Sequence, residues 1–406
     1  GDRKHIPVIS GAPGIGKAQP LYSKIKTPTG WTTMGKVRVG DVLTMPNGDS
    51  APVSAVYPQG RKEIFELVFA DGRKTHACAE HLWNIKKDRE HNWQVVDTKE
   101  MDRLLRTTNR WVYVQLPNHT APDASVPMDP YLLGVLLGDG SMTSHTIGLS
   151  TADPQMLSNV NSLLAEGYTF KHNSNYDYRL TRERGSYEIE PTWKTAGMYE
   201  NVYIQQLSAL GLLGKSSLTK FIPSVYKDGS RKQIEQLLAG LIDTDGYVNK
   251  QGAISVTTSS IQLAEDIQCL VRSIGGIAKI AIRYPTYTYR GEKKNGNTAY
   301  TVSIRYPTPR SLSRLDRKLD RIPEHYQYSD LHLRLVSIDS IGEDEAQCIM
   351  VDHPDHLYIT DDYIVTHNTS QAWKVAEDHN LRLIEIDVSE LFAEDAVGMP
   401  LPGDRN

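Results

Sequence analysis

The chain has 406 residues, a formal net charge of −4 and three cysteines, long enough for roughly two or three domains that each bury a core. It has no apolar run of bilayer length and no secretory leader pattern. The expectation is therefore a soluble, cytoplasmic protein with no membrane role. Cys78, Cys269 and Cys348 stand at no metal-ligand spacing and are too few for a disulfide framework. Each is expected to be a buried hydrophobe or a reactive thiol.

In chain order, the first feature is "GAPGIGK", Gly11 to Lys17, which begins a phosphate-binding loop. Gly11 and Gly16 would let backbone N–H groups cradle phosphate, and Lys17 would reach the terminal phosphates. A hydroxyl should follow to hold Mg2+, but Ala18 supplies none, and "QPLYSKIKTPTGW" replaces the helix a P-loop should open. From Trp31 short β-type runs follow, punctuated by Gly40-Asp41 and by Asn47-Gly48, a strong hairpin signal. A Pro- and Asp-rich linker begins near residue 118. Two similar apolar helices come next, "YLLGVLLGDGS" and "LLAGLIDTDGY", each ending in a carboxylate, Asp139 or Asp245. Gly134 and Gly240 would permit close packing of these helices, and paired carboxylates at their ends could hold divalent metal against a phosphodiester. From Lys279 to Arg321 eleven basic residues face three acidic ones, interleaved with tyrosines, the make-up of a β-ribbon for a polyanion. The last part, "LRLVSIDSIGEDEAQCIMVDHPDHLYITDDYIVTHN", again alternates like strands. At Thr369 the missing hydroxyl and helix appear, so that joining Lys17 to Thr369 restores "GAPGIGKTSQAWKVAEDHN". Residues 18–368 therefore look inserted, with β-rich segments at both ends that must pair for those ends to meet.

The pieces "GWTTMGKVRVGDVL", Cys78 to His81, "CIMVDHPDHLYITDDYIVTHN" and His367-Asn368 before Thr369 resemble an intein, a self-splicing element of the Hedgehog/intein β-fold. Most inteins begin with Cys or Ser, whereas this one begins with Ala18. The class 3 inteins lack that first nucleophile and carry a Trp, Cys, Thr triplet, matched here by Trp83, Cys348 and Thr366. Cys78 stands where the family usually has threonine. On this resemblance Cys348 attacks the carbonyl of Lys17 while His81 protonates the departing nitrogen of Ala18, giving a branched thioester. Thr369 then takes the upstream segment, and Asn368, assisted by His367, cyclises to cut the second junction. An acyl shift leaves a Lys17–Thr369 peptide bond. Thr366 and Trp83 shape the pocket of Cys348, and splicing needs no cofactor. The competing reading is a class 1 precursor blocked by a Cys-to-Ala change at position 18, whose remaining activity is DNA cleavage.

The two helical motifs resemble the LAGLIDADG homing endonucleases. That likeness implies Mg2+ at Asp139 and Asp245, support from Lys220 in "LTKFIPSVY" with Lys279 as a weaker candidate, and double-stranded DNA of the uninterrupted host gene as substrate for a monomer. The joined flanks resemble a MoxR-like AAA+ ATPase, for which ATP is a ligand only after splicing. The expected fold class is α+β: a β-rich horseshoe splicing domain formed by residues 18–117 and 334–368, with an αββαββα-type endonuclease domain at 118–333, between flanks 1–17 and 369–406.

Overall fold

The computed structural model describes residues 17–108, 110–118, 121–143, 146–183, 201–325 and 331–368. Gly11, Gly16 and Thr369 lie outside the described residues. The architecture is the α+β one expected, with a sheet-rich unit drawn from both ends of the chain and a helix-containing unit between them.

Two long strands, Ser50–Phe69 and Leu333–Val351, run antiparallel from Leu335 opposite Phe69 to Val351 opposite Val53. Apolar residues recur along both, and Val53, Leu67, Phe69, Leu335, Ile338, Ile349 and Val351 are all buried, the period that one core-facing side of a sheet demands. The Asn47-Gly48 signal forms its hairpin, Val42–Thr44 returning against the start of the first long strand, with Gly48 at φ 92°. The chain ends meet in two places. Gln19–Pro20 pairs with Gln347 and Ala346, and Lys24–Thr27 pairs with Leu357–Thr360 through Ile25 and Thr360. The hairpin of Leu357–Thr360 and Ile364–His367 carries the last residues before the downstream junction into this second sheet.

The inserted unit is built twice on one plan. Helix Pro130–Gly138 is followed by strands Gly140–Ser141, Gly148–Ser150, Tyr168–Ser174 and Asp177–Arg182, and helix Arg231–Asp245 by Gly246–Val248, Ile254–Thr258, Ile277–Arg283 and Ala299–Arg305. In each half the third strand in sequence lies at the sheet edge, beyond the fourth. Asp129 caps the first helix by accepting from the amides of Tyr131 and Leu132, with Pro130 at the first turn. Ser230 and Gln233 form a capping box on the second. The two helices pack against each other through their glycines. A Cβ on Gly134 would stand 2.2 Å from the Leu237 carbonyl oxygen, and one on Gly240 would stand 2.3 Å from that of Tyr131. Only glycine permits so close an approach.

A buried arginine ties the two units together. Arg73, in the sheet-rich unit, is wholly buried; Nε donates to Asp71 Oδ2 at 2.9 Å, Nη1 to the Tyr363 carbonyl at 3.1 Å, and Nη2 to the Gly276 carbonyl of the inserted unit at 2.8 Å. Arg272 of the inserted unit reaches back to the Asp71 carbonyl at 3.2 Å and to Asp362 at 3.4 Å. A charge taken so far from water is tolerated only when its donors are satisfied.

Replacing Gly134 by alanine is expected to push the two helices apart and to lower stability by roughly 1–3 kcal/mol, measured as a fall in the urea midpoint of the full chain. An unchanged midpoint would show that the close approach is not needed.

Candidate functional site

Strand Lys74–Cys78 ends in a tight turn, where the His81 amide donates to the Cys78 carbonyl at 3.2 Å, and strand Leu82–Lys87 leaves from it. That turn is laid on the upstream junction. The Cys78 amide donates to the Ala18 carbonyl at 2.9 Å, and the Ala18 amide donates to Cys78 Sγ at 3.1 Å. His81 is buried, with Nδ1 at 3.2 Å from the Lys17 carbonyl oxygen and Nε2 at 2.6 Å from Thr366 Oγ1. A carbonyl can only accept, so Nδ1 carries the proton and Nε2 accepts from the threonine hydroxyl. Burial, with electrostatic opposition from His367 and Lys17, pushes the His81 imidazole down to about 3 against its hydrogen bond to the Lys17 carbonyl; it is neutral near pH 7.

Trp83 stands edge-on to His81 with ring centroids 5.1 Å apart, its Nε1 donating to Thr98 Oγ1 at 2.9 Å. Thr98 also donates to the His81 carbonyl, from its amide at 2.9 Å. Trp83 and Thr366, expected around Cys348, are thus gathered on His81, where they fix the ring's plane and tautomer. His81 in turn faces the oxygen of the first scissile peptide group rather than its nitrogen. The nitrogen belongs to Cys78, a residue the sequence marks only by its departure from threonine. Burial pushes that thiol up to about 11, so it stays protonated.

Cys348 is buried on the second long strand. Gln19 pairs with Gln347 and Pro20 with Ala346 in antiparallel register, and one further step brings Cys348 level with Ala18. Its Sγ lies 3.7 Å from the Ile349 carbonyl oxygen, and it interacts electrostatically with Lys17. At the downstream junction, the Asn368 amide donates to the His356 carbonyl at 2.7 Å and Asn368 Nδ2 donates to the Val351 carbonyl at 3.1 Å. His367 Nδ1 is hydrogen-bonded to the Asn368 carbonyl oxygen, and the His356 and His367 rings are 6.2 Å apart.

In the inserted unit, Asp139 and Asp245 sit at the C-terminal ends of the paired helices. Burial raises both carboxyls, and Asp139 adds its repulsion to bring Asp245 to about 6. Two lysines flank them in matching roles. Lys220 Nζ donates to the carbonyls of Leu136, Gly138 and Gly140 at 3.2, 2.9 and 2.9 Å. Lys318 Nζ donates to those of Ile242, Asp243 and Gly246, the last two at 3.1 and 2.7 Å. Both ammonium groups close the carbonyl ends of their helices and pull both carboxyls downward. Lys318, and not Lys279, is the mate of Lys220. Lys279 is exposed on strand Ile277–Arg283. Among the described residues no three His, Cys, Asp or Glu side chains cluster as a metal site. The Asp139–Asp245 pair is nonetheless of a kind a divalent cation fits, two hard oxygen donors whose mutual repulsion it would relieve.

The basic ribbon forms as hairpin Thr286–Tyr289 with Glu292–Asn295, exposed throughout. Arg290 and Lys294 lie 5.2 and 4.9 Å from the Tyr289 ring centroid. No helix among the described residues is long and apolar enough to cross a membrane.

Residues 232–319 match the family model of the LAGLIDADG-like domain. The replicative DNA helicase DnaB of Mycobacterium intracellulare is 28% identical over 391 residues, 89% of this chain and 60% of that protein. The corresponding helicase of Mycobacterium leprae is 38% identical over 77 residues, 19% of this chain and 13% of its own length. The chain thus spans less than two thirds of these curated relatives. Among solved structures, that of the MchDnaB-1 intein (N145AA) is 32% identical over 25% of this chain and 70% of its own, with a TM-score of 0.20. A DnaB intein from Synechocystis sp. PCC 6803 is 10% identical over 87% of this chain and 99% of its own, with a TM-score of 0.29.

The fold is α+β, a sheet-rich unit drawn from both ends of the described chain with a LAGLIDADG-like domain inserted between its two parts.

The raised Asp245 carboxyl has a pH signature. Between about 3.8 and about 6 the folded chain holds a proton that the unfolded chain has lost, so this group's contribution to stability falls as pH rises through that window. Asp245→Asn is expected to be more stable than the parent at pH 7 to 8, by about 1 kcal/mol, because solvent on the open side of this otherwise enclosed carboxyl screens part of the effect. The gain should vanish near pH 4, as followed by urea unfolding at each pH.

Proposed function

We propose that residues 18–368 excise themselves and join Lys17 to Thr369, with Cys348 as the first nucleophile in the manner of a class 3 intein. The observation that carries this reading is the register placing Cys348 level with Ala18 while His81 holds the Lys17 carbonyl. Cys348 Sγ bonds to the Lys17 carbonyl carbon, the Lys17–Ala18 bond breaks, and the thiol proton ends on the Ala18 nitrogen. His81 Nδ1–H meets the oxygen as its charge develops, a hydrogen bond that strengthens towards the transition state. Cys78 holds the nitrogen on the other side. The Thr369 hydroxyl then displaces Cys348 from the thioester, returning the thiol. Asn368 Nδ2 next closes on its own carbonyl, polarised by His367, and releases the ester-linked flanks. The amino group of Thr369 finally takes the acyl group from its own oxygen.

The inserted domain, on the same reading, cuts double-stranded DNA at the uninterrupted host site. Asp139 and Asp245 would hold Mg2+, which when bound supplies Lewis-acid polarisation of the scissile phosphate. Lys220 and Lys318 balance charge beside the carboxylates, and the Thr286–Asn295 hairpin meets DNA with its tyrosines and cations. The joined flanks would form the P-loop of a MoxR-like ATPase, with Gly11, Gly16, Lys17 and Thr369 on its nucleotide. The protein would work as a monomer in the cytoplasm.

The first step is tested by thioester capture. Hydroxylamine or dithiothreitol should release the upstream flank from the chain as given and not from Cys348→Ala, in which only slow cyclisation of Asn368 remains. The loss in rate is expected on the order of 10⁶-fold. Equal release in both, or in neither, contradicts the assignment. Asp139→Asn and Asp245→Asn should abolish Mg2+-dependent cleavage of the intein-free host gene while splicing continues, as followed by gel assay of both activities in one preparation.

A further inference from the structure

The side chain of Lys17 has no counterpart in the chemistry above. It is 5% exposed, and its Nζ is buried without a hydrogen-bond partner among the described residues. An ammonium in that position is costly unless an anion answers it. The described groups that interact electrostatically with it are few. Cys348 favours its charge, whereas the imidazoles of His81 and His356 are both driven towards neutrality, in part by Lys17 itself. Neither histidine can supply a negative charge, and a cysteine thiol can. The backbone position fits, because Lys17 is the neighbour of Ala18, which the extended pairing register sets beside Cys348, and its carbonyl oxygen lies against the buried His81.

We propose that Lys17 is the counter-ion of Cys348: the side chain of the residue whose carbonyl is to be attacked supplies the positive charge that stabilises the attacking thiolate. The thiol gives its proton to water, the thiolate and the ammonium form a buried pair, and the pair is consumed when sulfur bonds to the Lys17 carbonyl carbon and the Lys17–Ala18 bond breaks, a proton from water going to the Ala18 nitrogen. Lys17 is thus a positioning and activating residue that acts through Cys348. Burial pushes its own ammonium down to about 8, with the attraction of Cys348 opposing, so the cation is present through neutral pH and is lost in mildly alkaline solution. The arrangement also gives the reaction a direction. Once Lys17 has been joined to Thr369 it leaves with the flanks, and the excised segment keeps Cys348 without its cation.

This inference rests on Cys348 being the first nucleophile, and the experiment separates the two claims. Full chains carrying Asn368→Ala, to hold the upstream thioester, are compared as otherwise unchanged, Lys17→Met, Lys17→Arg and Cys348→Ala. Release of the upstream flank by hydroxylamine is followed from pH 6 to pH 9. Lys17→Met should be slower by about 10- to 100-fold at pH 7, as a thiol that loses a neighbouring cation demands, and should recover as pH rises. Lys17→Arg should stay close to the unchanged chain and lose less rate on the alkaline side. A Lys17→Met profile that matches the parent, or one lowered by the same factor at every pH, overturns the counter-ion role, as does Lys17→Arg as slow as Lys17→Met. Release from Cys348→Ala at the parent rate instead overturns the nucleophile. In chains with Asn368 intact, Lys17→Met should still cleave after Asn368, at least as fast as Cys348→Ala does. Loss of that cleavage in both Lys17 variants would mean that the side chain serves packing, and would also sink the proposal.

Discussion

The whole arrangement around Lys17, His81 and Asn368 depends on one short pairing, that of Gln19–Pro20 with Ala346–Gln347. It closes a loop of several hundred residues, a cost that grows only slowly with length. The ladder between Ser50–Phe69 and Leu333–Val351 helps to offset it, because it has already brought the second half of the domain alongside the first. Ala18 then has no freedom to choose its neighbour across the sheet. Lys17 projects past the end of the pairing towards His81 and Cys348, and the hairpin ending at His367 brings Asn368 against Val351 and His356. Two peptide bonds far apart in sequence come to share one buried chamber because a two-residue strand fixes the edge.

The inserted domain shows the same economy by repetition. Each helix of the central pair presents a glycine to the other, each ends in a carboxylate, and each has its terminal carbonyls closed by a lysine from elsewhere in its own half. Close packing forces Asp139 and Asp245 together, and their mutual repulsion and burial hold one of them partly protonated at mildly acidic pH. A site of this kind is already charged for a cation by its backbone geometry.

Much of this was legible in the sequence, for physical reasons. The carboxylates and the packing glycines share one short motif, so the helical period carried them together. The pairing of the two ends followed from the need of an insertion to close. Lys318 escaped because its spacing to the following Ile-Pro differs from that of Lys220, "KFIP" against "KLDRIP", so a repeat in space is not one in sequence. Cys78 was visible only as a departure from threonine, with no sign that its sulfur would meet the Ala18 nitrogen. Whether His81 faces the oxygen or the nitrogen of one peptide group is decided by the turn that delivers it and by Thr366 on its far side, and no local pattern encodes either. Arg73 gave no signal at all, since its partners Asp71, Gly276 and Tyr363 come from three separate stretches of chain.

That arginine bears on how such a two-part protein can lose a part. One of its donors is answered by a carbonyl of the inserted domain, at Gly276, and another by Tyr363, which stands at the turn leading into the strand of Thr366 and His367. A shortened chain made by cutting the inserted domain out would leave a buried guanidinium facing a gap, next to the hairpin that leads to Asn368. Shortening would therefore succeed only where a new main-chain acceptor, or a smaller uncharged side chain at position 73, arrived with the deletion, which makes the inserted domain costlier to discard than its separate fold suggests.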